Sequence, residues 1–254
     1  MIDDPRGRIA VFSGPSLPGA LRPLDPAFSW LPPAAAGDAV RLAAGRPDAV
    51  VLIDGLFDSV PAIRHKELLN LMAEGIPLIG GASMGALRAA ELHSFGMVGV
   101  GRIFRAYRAG RLVGDDEVAL MHGPADWDWT PLTEALVNVR ATVLAAVRAR
   151  IIELDHGREV ITLARGVFYK ERTWPGMLRA LAGRAGRGGA WIDALAAWLP
   201  WGRVDLKRAD ALECLDVARR HTRPDAPRAG SRFGTVFSRD LARRALGSGG
   251  DAAD

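Results

Sequence analysis

The sequence predicts an α/β fold, in which an N-terminal parallel sheet with helices forms Rossmann-like layers and a mainly helical C-terminal part follows. Between residues 8 and 91, short apolar runs alternate with helix-forming segments, the pattern of a parallel sheet with right-handed crossovers. After Pro131 the apolar residues recur only at helical spacing. We therefore expect an α/β core over 1–125, a helical layer packed on it over 126–221, and a flexible tail over 222–254.

Three buried apolar runs are the predicted strands: Arg8–Phe12, Asp48–Ile53 and Ile76–Gly80. The proline- and alanine-rich stretch 18–37 is predicted as a loop with at most one helical turn. A short helix is expected at Asp38–Ala44. A longer helix is expected at Val60–Glu74, because Gly75 is a typical helix stop signal.

Seven further helices are predicted before residue 221. The expected helices are the one after Ser83 and those at Arg102–Ala109, Leu132–Asp155, Arg158–Tyr169, Trp174–Ala182, Trp191–Leu199 and Val204–Arg220. From Thr222 onward, proline, glycine, arginine and small residues dominate. Such a composition cannot bury a core, which is why a tail is predicted there.

The composition of the chain indicates in which compartment it acts and which classes of partner it binds. No apolar run is long enough to span a membrane and no signal peptide is recognised, so no membrane association is expected. Cys214 is the only cysteine, which excludes an internal disulfide and favours a cytoplasmic protein. The net charge is +4, but the arginines are spread along the chain among acidic residues, so no nucleic-acid partner is expected.

No cofactor and no metal are expected. Neither a G-x-G-x-x-G motif nor a Walker lysine motif follows a predicted strand, which disfavours a nucleotide. The acidic run Asp115-Asp116-Glu117 has no histidine at ligand spacing. These carboxylates are therefore predicted to lie in a solvated turn.

The clearest chemical motif is the G-x-S-x-G pattern of Gly81-Ala82-Ser83-Met84-Gly85. It follows a predicted strand and precedes a predicted helix, where a sharp bend can expose a serine hydroxyl as a nucleophile. The backbone N–H of Met84, with that of Gly80 or Gly81, could bind an oxyanion at the helix N-terminus. The alternative is an ordinary glycine-rich turn with Ser83 as the helix N-cap.

Small and polar residues also follow the other two predicted strands. They are Ser13, Gly14 and Ser16 after the first strand, and Asp54 and Gly55 after the second. Ligands of parallel sheets bind beyond the carboxyl ends of the strands. These residues are therefore expected to line one site together with Ser83.

Lysine is rare in this chain, since Lys66, Lys170 and Lys207 are the only ones. On the predicted helix Val60–Glu74, Lys66 has apolar neighbours at helical spacing, so partial burial is expected. A buried amine could serve as a general base. The alternatives are a lysine that extends to solvent or one that pairs with Asp54.

Arg88 and Glu91 are three residues apart on the helix after Ser83. They favour an ordinary surface ion pair. A second interpretation places Arg88 near the mouth of the site, where it would orient the acidic tail of a partner.

Several separated segments resemble the TfuA-like family. The longest match is Gly81–Leu92, and shorter ones are Gly14–Leu17, Ile53–Phe57, His65–Leu69, Gly96–Gly101 and Asp115–Ala119. The resemblance is strong over about 8–125. It continues more weakly through Leu136–Arg140 and Tyr169–Trp174.

This resemblance implies a helper of a YcaO enzyme in thioamidation of peptide backbones. It implies hydrolysis of a thiocarboxylated, ThiS-type sulfur carrier by a serine–lysine pair, with release of sulfide. Carried onto this chain, the pair is Ser83 and Lys66, with Lys170 as the second candidate base. Two alternatives stay open: a non-catalytic module that docks peptide or carrier on YcaO, and an unrelated serine hydrolase that pairs Ser83 with Asp54.

Overall fold

The computed structural model describes residues 8–56, 58, 60–185 and 189–221 of the 254-residue chain. The predicted tail over 222–254 lies outside these residues. The described residues form two compact units, one comprising 8–111 and 210–221 and the other comprising 112–209. None of the helices in the described ranges combines the length and the apolar composition that crossing a membrane would require.

The first unit contains a five-stranded parallel sheet. Its strands are β1 (Ile9–Phe12), β2 (Phe28–Leu31), β3 (Ala49–Leu52), β4 (Leu78–Gly80) and β5 (Val98–Gly99), in the order β2-β1-β3-β4-β5. The predicted α/β fold class is confirmed. The three predicted strands are β1, β3 and β4, which are neighbours in the sheet, so their carboxyl ends lie side by side.

Two strands lie where the sequence did not predict them. β2 lies within the stretch 18–37 that was predicted as a loop, and it pairs in parallel with β1. β5 has only two residues and pairs with β4. β5 is too short to give a periodic signal. β2 is as long as β1, but it is only partly buried and lies in a proline-rich stretch, so its residues give little indication of a strand.

The helices of the first unit are α1 (Asp38–Ala43), α2 (His65–Ala73), α3 (Met84–Leu92) and α4 (Gly101–Arg108). α2 begins later than the predicted Val60. The backbone upstream of it pairs with residues 35 and 36 instead, since Ala62 bridges Ala35 and the Ala36 N–H donates to Pro61 O at 2.9 Å. An extended segment therefore replaces the first turn of the predicted helix.

The second unit is mainly helical, as predicted. It contains α5 (Leu136–Arg148), α6 (Leu154–Gly166), α7 (Trp174–Ala185) and α8 (Ala190–Gly202). The single helix predicted over 132–155 is wrong: the chain breaks between α5 and α6, where Arg150 adopts a φ of 57°. Apolar side chains from all four helices form one core in this unit.

The last helix, α9 (Leu206–His221), continues from the second unit into the first. Its later residues Ala211, Cys214, Leu215 and Ala218 join the core beneath the sheet. Cys214 is fully buried, and burial raises the pKa of its thiol. The cysteine thus fills the core of the first unit.

Candidate functional site

The G-x-S-x-G segment forms a tight strand-to-helix turn. β4 ends at Gly80, α3 begins at Met84, and Ser83 occupies the N-cap position. Ala82 adopts a φ of 65°, and the Ser83 N–H donates to Gly81 O at 2.8 Å. This is a γ-turn with positive φ at its centre, which is a strained conformation for a residue with a side chain.

Gly85 permits this turn to pack on the neighbouring strand. A Cβ atom at Gly85 would collide with the backbone carbonyl of Leu52 in β3. The Gly85 N–H donates to Ile53 O at 3.1 Å, just beyond the same strand. The second glycine of the motif is therefore required because α3 starts in direct contact with the end of β3.

The hydroxyl of Ser83 is not used as a helix cap. Ser83 is only 6% exposed, and its side chain makes no capping hydrogen bond. Its hydroxyl also has no hydrogen-bond partner elsewhere in the described part of the chain. A serine hydroxyl that forms no hydrogen bond within the protein is available to act on a ligand.

Two backbone N–H groups beside Ser83 are unpaired within the described ranges, those of Ala82 and Met84. Ala82 is completely buried, where an amide normally has a partner. Both groups lie at the N-terminus of α3, at the positive end of the helix dipole. They could bind the oxyanion of an acyl-transfer intermediate.

Of the predicted oxyanion donors, Met84 has a suitable N–H. The Gly81 N–H already donates to Leu52 O at 3.3 Å. Gly80 lies within β4, and its carbonyl accepts from Val100 N at 2.9 Å. The role that the sequence suggested for Gly80 or Gly81 is better suited to Ala82, which sequence reasoning missed because positive φ is rare at alanine.

Asp54, just after β3, organises the loop that follows β1. Its carboxylate is 2% exposed. One oxygen accepts the N–H groups of Gly14 and Ser16 at 2.9 and 3.0 Å, and the other accepts the Ser16 hydroxyl at 2.6 Å. In the same loop, the Ser13 hydroxyl donates to Leu17 O at 3.1 Å. The two predicted site segments after β1 and β3 therefore do lie together.

Gly55 connects this pair of strand ends to the third. A Cβ atom at Gly55 would collide with the side-chain sulfur of Met84 and approach the backbone oxygen of Ala34. Gly55 therefore lies against the first residue of α3. The ends of β1, β3 and β4 form one continuous region around the Ser83 turn.

The expected partial burial of Lys66 is wrong. Lys66 is the second residue of α2, and it is exposed. The buried face of α2 consists of Glu67, Leu68 and Leu71. At about 100° per residue, Lys66 points about 200° away from Leu68 around the helix axis. Lys66 therefore lies on the other side of α2 from Leu68.

The adjacent Glu67 is the buried charged residue of α2. It is 2% exposed and accepts the Gly37 N–H at 2.7 Å, at the start of α1. Burial raises the pKa of this carboxyl, partly opposed by the N–H groups that donate to it. Glu67 thus joins α1 to α2.

The other two lysines belong to the second unit. Lys170 is half-buried, with Nζ 5.8 Å from the centre of the Tyr169 ring. Lys207 is 2% exposed, and its Nζ donates to Val118 O at 2.9 Å. Sequence reasoning did not single out Lys207, since α9 carries acidic and basic residues on several sides and gives no sign that this lysine is internal.

The predicted surface pair of Arg88 and Glu91 is confirmed, with Nη1 and Oε2 2.8 Å apart. His65 joins it, with Nε2 2.6 Å from the same Glu91 oxygen. Arg88 Nε also donates to Ile63 O at 3.3 Å. This group of side chains connects the start of α2 to the exposed side of α3.

Comparison with known proteins gives one family. The comparison with curated proteins found no match. Residues 54–173 match the family model described as TfuA-like protein. The match begins at Asp54 and includes Lys66, the Ser83 turn and Lys170. Just under half of the chain therefore matches the TfuA-like family.

Proposed function

We propose that this protein releases sulfide by hydrolysing the thiocarboxylated C-terminus of a ThiS-type sulfur carrier. The sulfide would supply a YcaO enzyme that thioamidates a peptide backbone. The match of residues 54–173 to the TfuA-like family is consistent with a role beside a YcaO enzyme. The observation that carries the hydrolytic step is the Ser83 hydroxyl, which forms no hydrogen bond within the described residues and follows a turn with positive φ.

In the proposed reaction, Ser83 Oγ attacks the carbon of the thiocarboxylate and transfers its proton to a base. The tetrahedral intermediate carries negative charge, which the N–H groups of Ala82 and Met84 stabilise. Collapse breaks the C–S bond, releases hydrosulfide and leaves an ester on Ser83. Water then attacks the ester, so that the carrier leaves as a carboxylate and the serine regains its proton.

Lys66 remains the proposed base. α2 follows β3 and α3 follows β4, and these strands are parallel neighbours. The N-termini of both helices therefore lie toward the carboxyl edge of the sheet, where Ser83 is located. A lysine in the first turn of α2 has a side chain long enough to extend along this edge, and it would act as a base once bound carrier covers its amine.

A non-catalytic docking module is the second candidate function. The exposure of Lys66 favours it, because an exposed lysine is also suited to bind an acidic partner surface. Asp54 gives less support to a serine–aspartate hydrolase, since both of its oxygens already accept hydrogen bonds from the loop after β1.

The test is sulfide release from a thiocarboxylated carrier by Ser83→Ala. Loss of at least about a hundredfold in rate is expected if the hydroxyl attacks directly. Ser94→Ala is the matched control, because Ser94 is exposed near the far end of α3. Sulfide release at the wild-type rate by Ser83→Ala would leave the docking module as the better account.

A further inference from the structure

The three hydrogen bonds described above join the buried carboxylate of Asp54 to the loop after β1. The carboxylate holds the N–H groups of Gly14 and Ser16 on one oxygen and the Ser16 hydroxyl on the other. Charged groups are rarely buried unless such donors compensate for lost hydration. Three converging donors at 2.6 to 3.0 Å fix the loop backbone to the end of β3.

The same loop is also held from its other side by Arg22. Its Nε donates to Leu17 O at 3.2 Å, and its Nη2 donates to Ser13 O at 3.3 Å. The guanidinium lies 5.0 Å from the centre of the Trp30 ring, on β2. The N–H groups of the loop therefore face Asp54 while two of its carbonyls face Arg22, which defines a single loop conformation.

The backbone around Asp54 also positions the Ser83 turn. The residue before it, Ile53, accepts the Gly85 N–H at 3.1 Å, and Leu52 accepts the Gly81 N–H at 3.3 Å. The residue after it, Gly55, lies against Met84. Asp54 is thus the centre of a short segment that contacts both glycines of the motif and the first residue of α3.

We infer that Asp54 is a positioning residue for Ser83, acting through the loop after β1 and the end of β3, and not a proton acceptor in the reaction. This inference rests on the proposed function. A shift of about 1 Å in a reacting group can lower a rate about a hundredfold. Loss of the Asp54 contacts is therefore expected to lower kcat more than it raises KM.

Asparagine distinguishes positioning from proton transfer. Its Oδ1 can accept the N–H groups of Gly14 and Ser16, and its Nδ2 can donate to the Ser16 hydroxyl. Asp54→Asn therefore preserves the three contacts but cannot take up a proton. Asp54→Ala removes all three.

The experiment measures kcat and KM for sulfide release from the thiocarboxylated carrier, with folding checked by circular dichroism. We expect Asp54→Ala to lower kcat about ten- to a hundredfold with little change in KM. We expect Asp54→Asn to keep kcat and the pH profile of kcat/KM close to wild type. Asp48→Ala is the matched control, since Asp48 precedes β3 and pairs with Arg8 at the opposite edge of the sheet.

Two results would overturn the inference: a folded Asp54→Ala variant with wild-type kcat, or an Asp54→Asn variant as inactive as Ser83→Ala. The asparagine variant decides the question even where the alanine variant does not fold. Ser83→Ala is measured in the same series. If it stays active, the proposed function fails; if it is inactive while Asp54→Ala is wild-type, only the role of Asp54 fails.

Discussion

At the residue scale, the sequence predicts the turn at Ser83 but not the environment of Lys66. Two glycines and the apolar run before them predict a tight turn at Ser83 from neighbouring residues alone. In the structure the second glycine is required, because a Cβ atom at Gly85 would collide with the backbone carbonyl of Leu52. The environment of Lys66 depends on where α2 begins and which face it buries. Both are set by pairing of residues 61 and 62 with residues 35 and 36, which no local pattern shows.

Substitution of Lys66 tests whether it is the base. Lys66→Arg retains the positive charge but cannot give up a proton at working pH, so hydrolysis of the thiocarboxylated carrier should be lost. Because the residue is exposed, the free energy of unfolding should change by no more than about 0.5 kcal/mol. Sulfide release and urea denaturation are the measurements.

The matched variant is Lys66→Met, which removes the amine and should be equally inactive. If Lys66→Arg hydrolyses the carrier at the wild-type rate, Lys66 is not the base. Lys170 is then the next residue to substitute.

We predict that the contribution of Asp210 to the stability of the protein depends on pH. It is buried and accepts the Ile103 N–H at 2.7 Å, at the start of α4. Burial raises the pKa of its carboxyl above the ordinary 3.8, partly opposed by the N–H groups of Ile103 and Arg102. Between these two pKa values the unfolded chain binds fewer protons than the folded chain, so this contribution falls as pH rises.

Asp210→Asn removes that titration. The difference in free energy of unfolding, wild type minus variant, should decrease as pH rises above about 4 and be level below it. Urea denaturation of both proteins across a pH series measures this difference. A difference that increases with pH would contradict a raised pKa for the Asp210 carboxyl in the folded protein.

At the scale of elements, the fully buried strands were predictable and the partly exposed ones were not. β1, β3 and β4 are apolar throughout and follow from hydrophobicity alone. β2 and β5 exist because β1 and β4 offer them hydrogen-bonding edges. The break between α5 and α6 depends on a left-handed residue, Arg150, whose side chain gives no warning of that conformation.

The prediction at the scale of elements concerns Gly85, where the start of α3 contacts β3. In Gly85→Ala the added methyl group would collide with backbone in β3, which cannot move without disturbing the sheet. We expect a loss of about 1–3 kcal/mol in the free energy of unfolding, together with loss of sulfide release.

Gly183→Ala is the control for the Gly85 variant. Gly183 lies in α7, and a Cβ atom there meets open space. Its replacement should raise stability by up to about 1 kcal/mol, because alanine favours the helix. Equal melting temperatures for the two variants would show that the contact between α3 and β3 is not tight.

At the scale of the whole molecule, composition predicted the division into an α/β part and a helical part. It did not predict that residues 210–221 would be grouped with the first unit. Ala211, Cys214, Leu215 and Ala218 are fully or almost fully buried there. Their spacing fits any amphipathic helix, so the sequence indicates a buried face but not the partner of that face.

Removal of residues 222–254 tests the predicted tail. Its composition is rich in proline, glycine and arginine, so we expect the melting temperature and the rate of sulfide release to stay close to those of the full chain. Scanning calorimetry on both forms provides the comparison. A large fall in melting temperature would indicate that the segment packs on the protein, with Phe233 and Phe237 as the residues to substitute next.

The central claim is that Ser83 attacks the thiocarboxylate, and it is tested most directly by isolating the covalent intermediate. The protein is mixed with thiocarboxylated carrier, quenched in acid after a short interval, digested and mapped by mass spectrometry. We predict an ester that joins the C-terminal carbonyl of the carrier to Ser83 Oγ, and no such ester in Ser83→Ala. Sulfide release without an adduct on Ser83, or with an adduct on another residue, would contradict the claim.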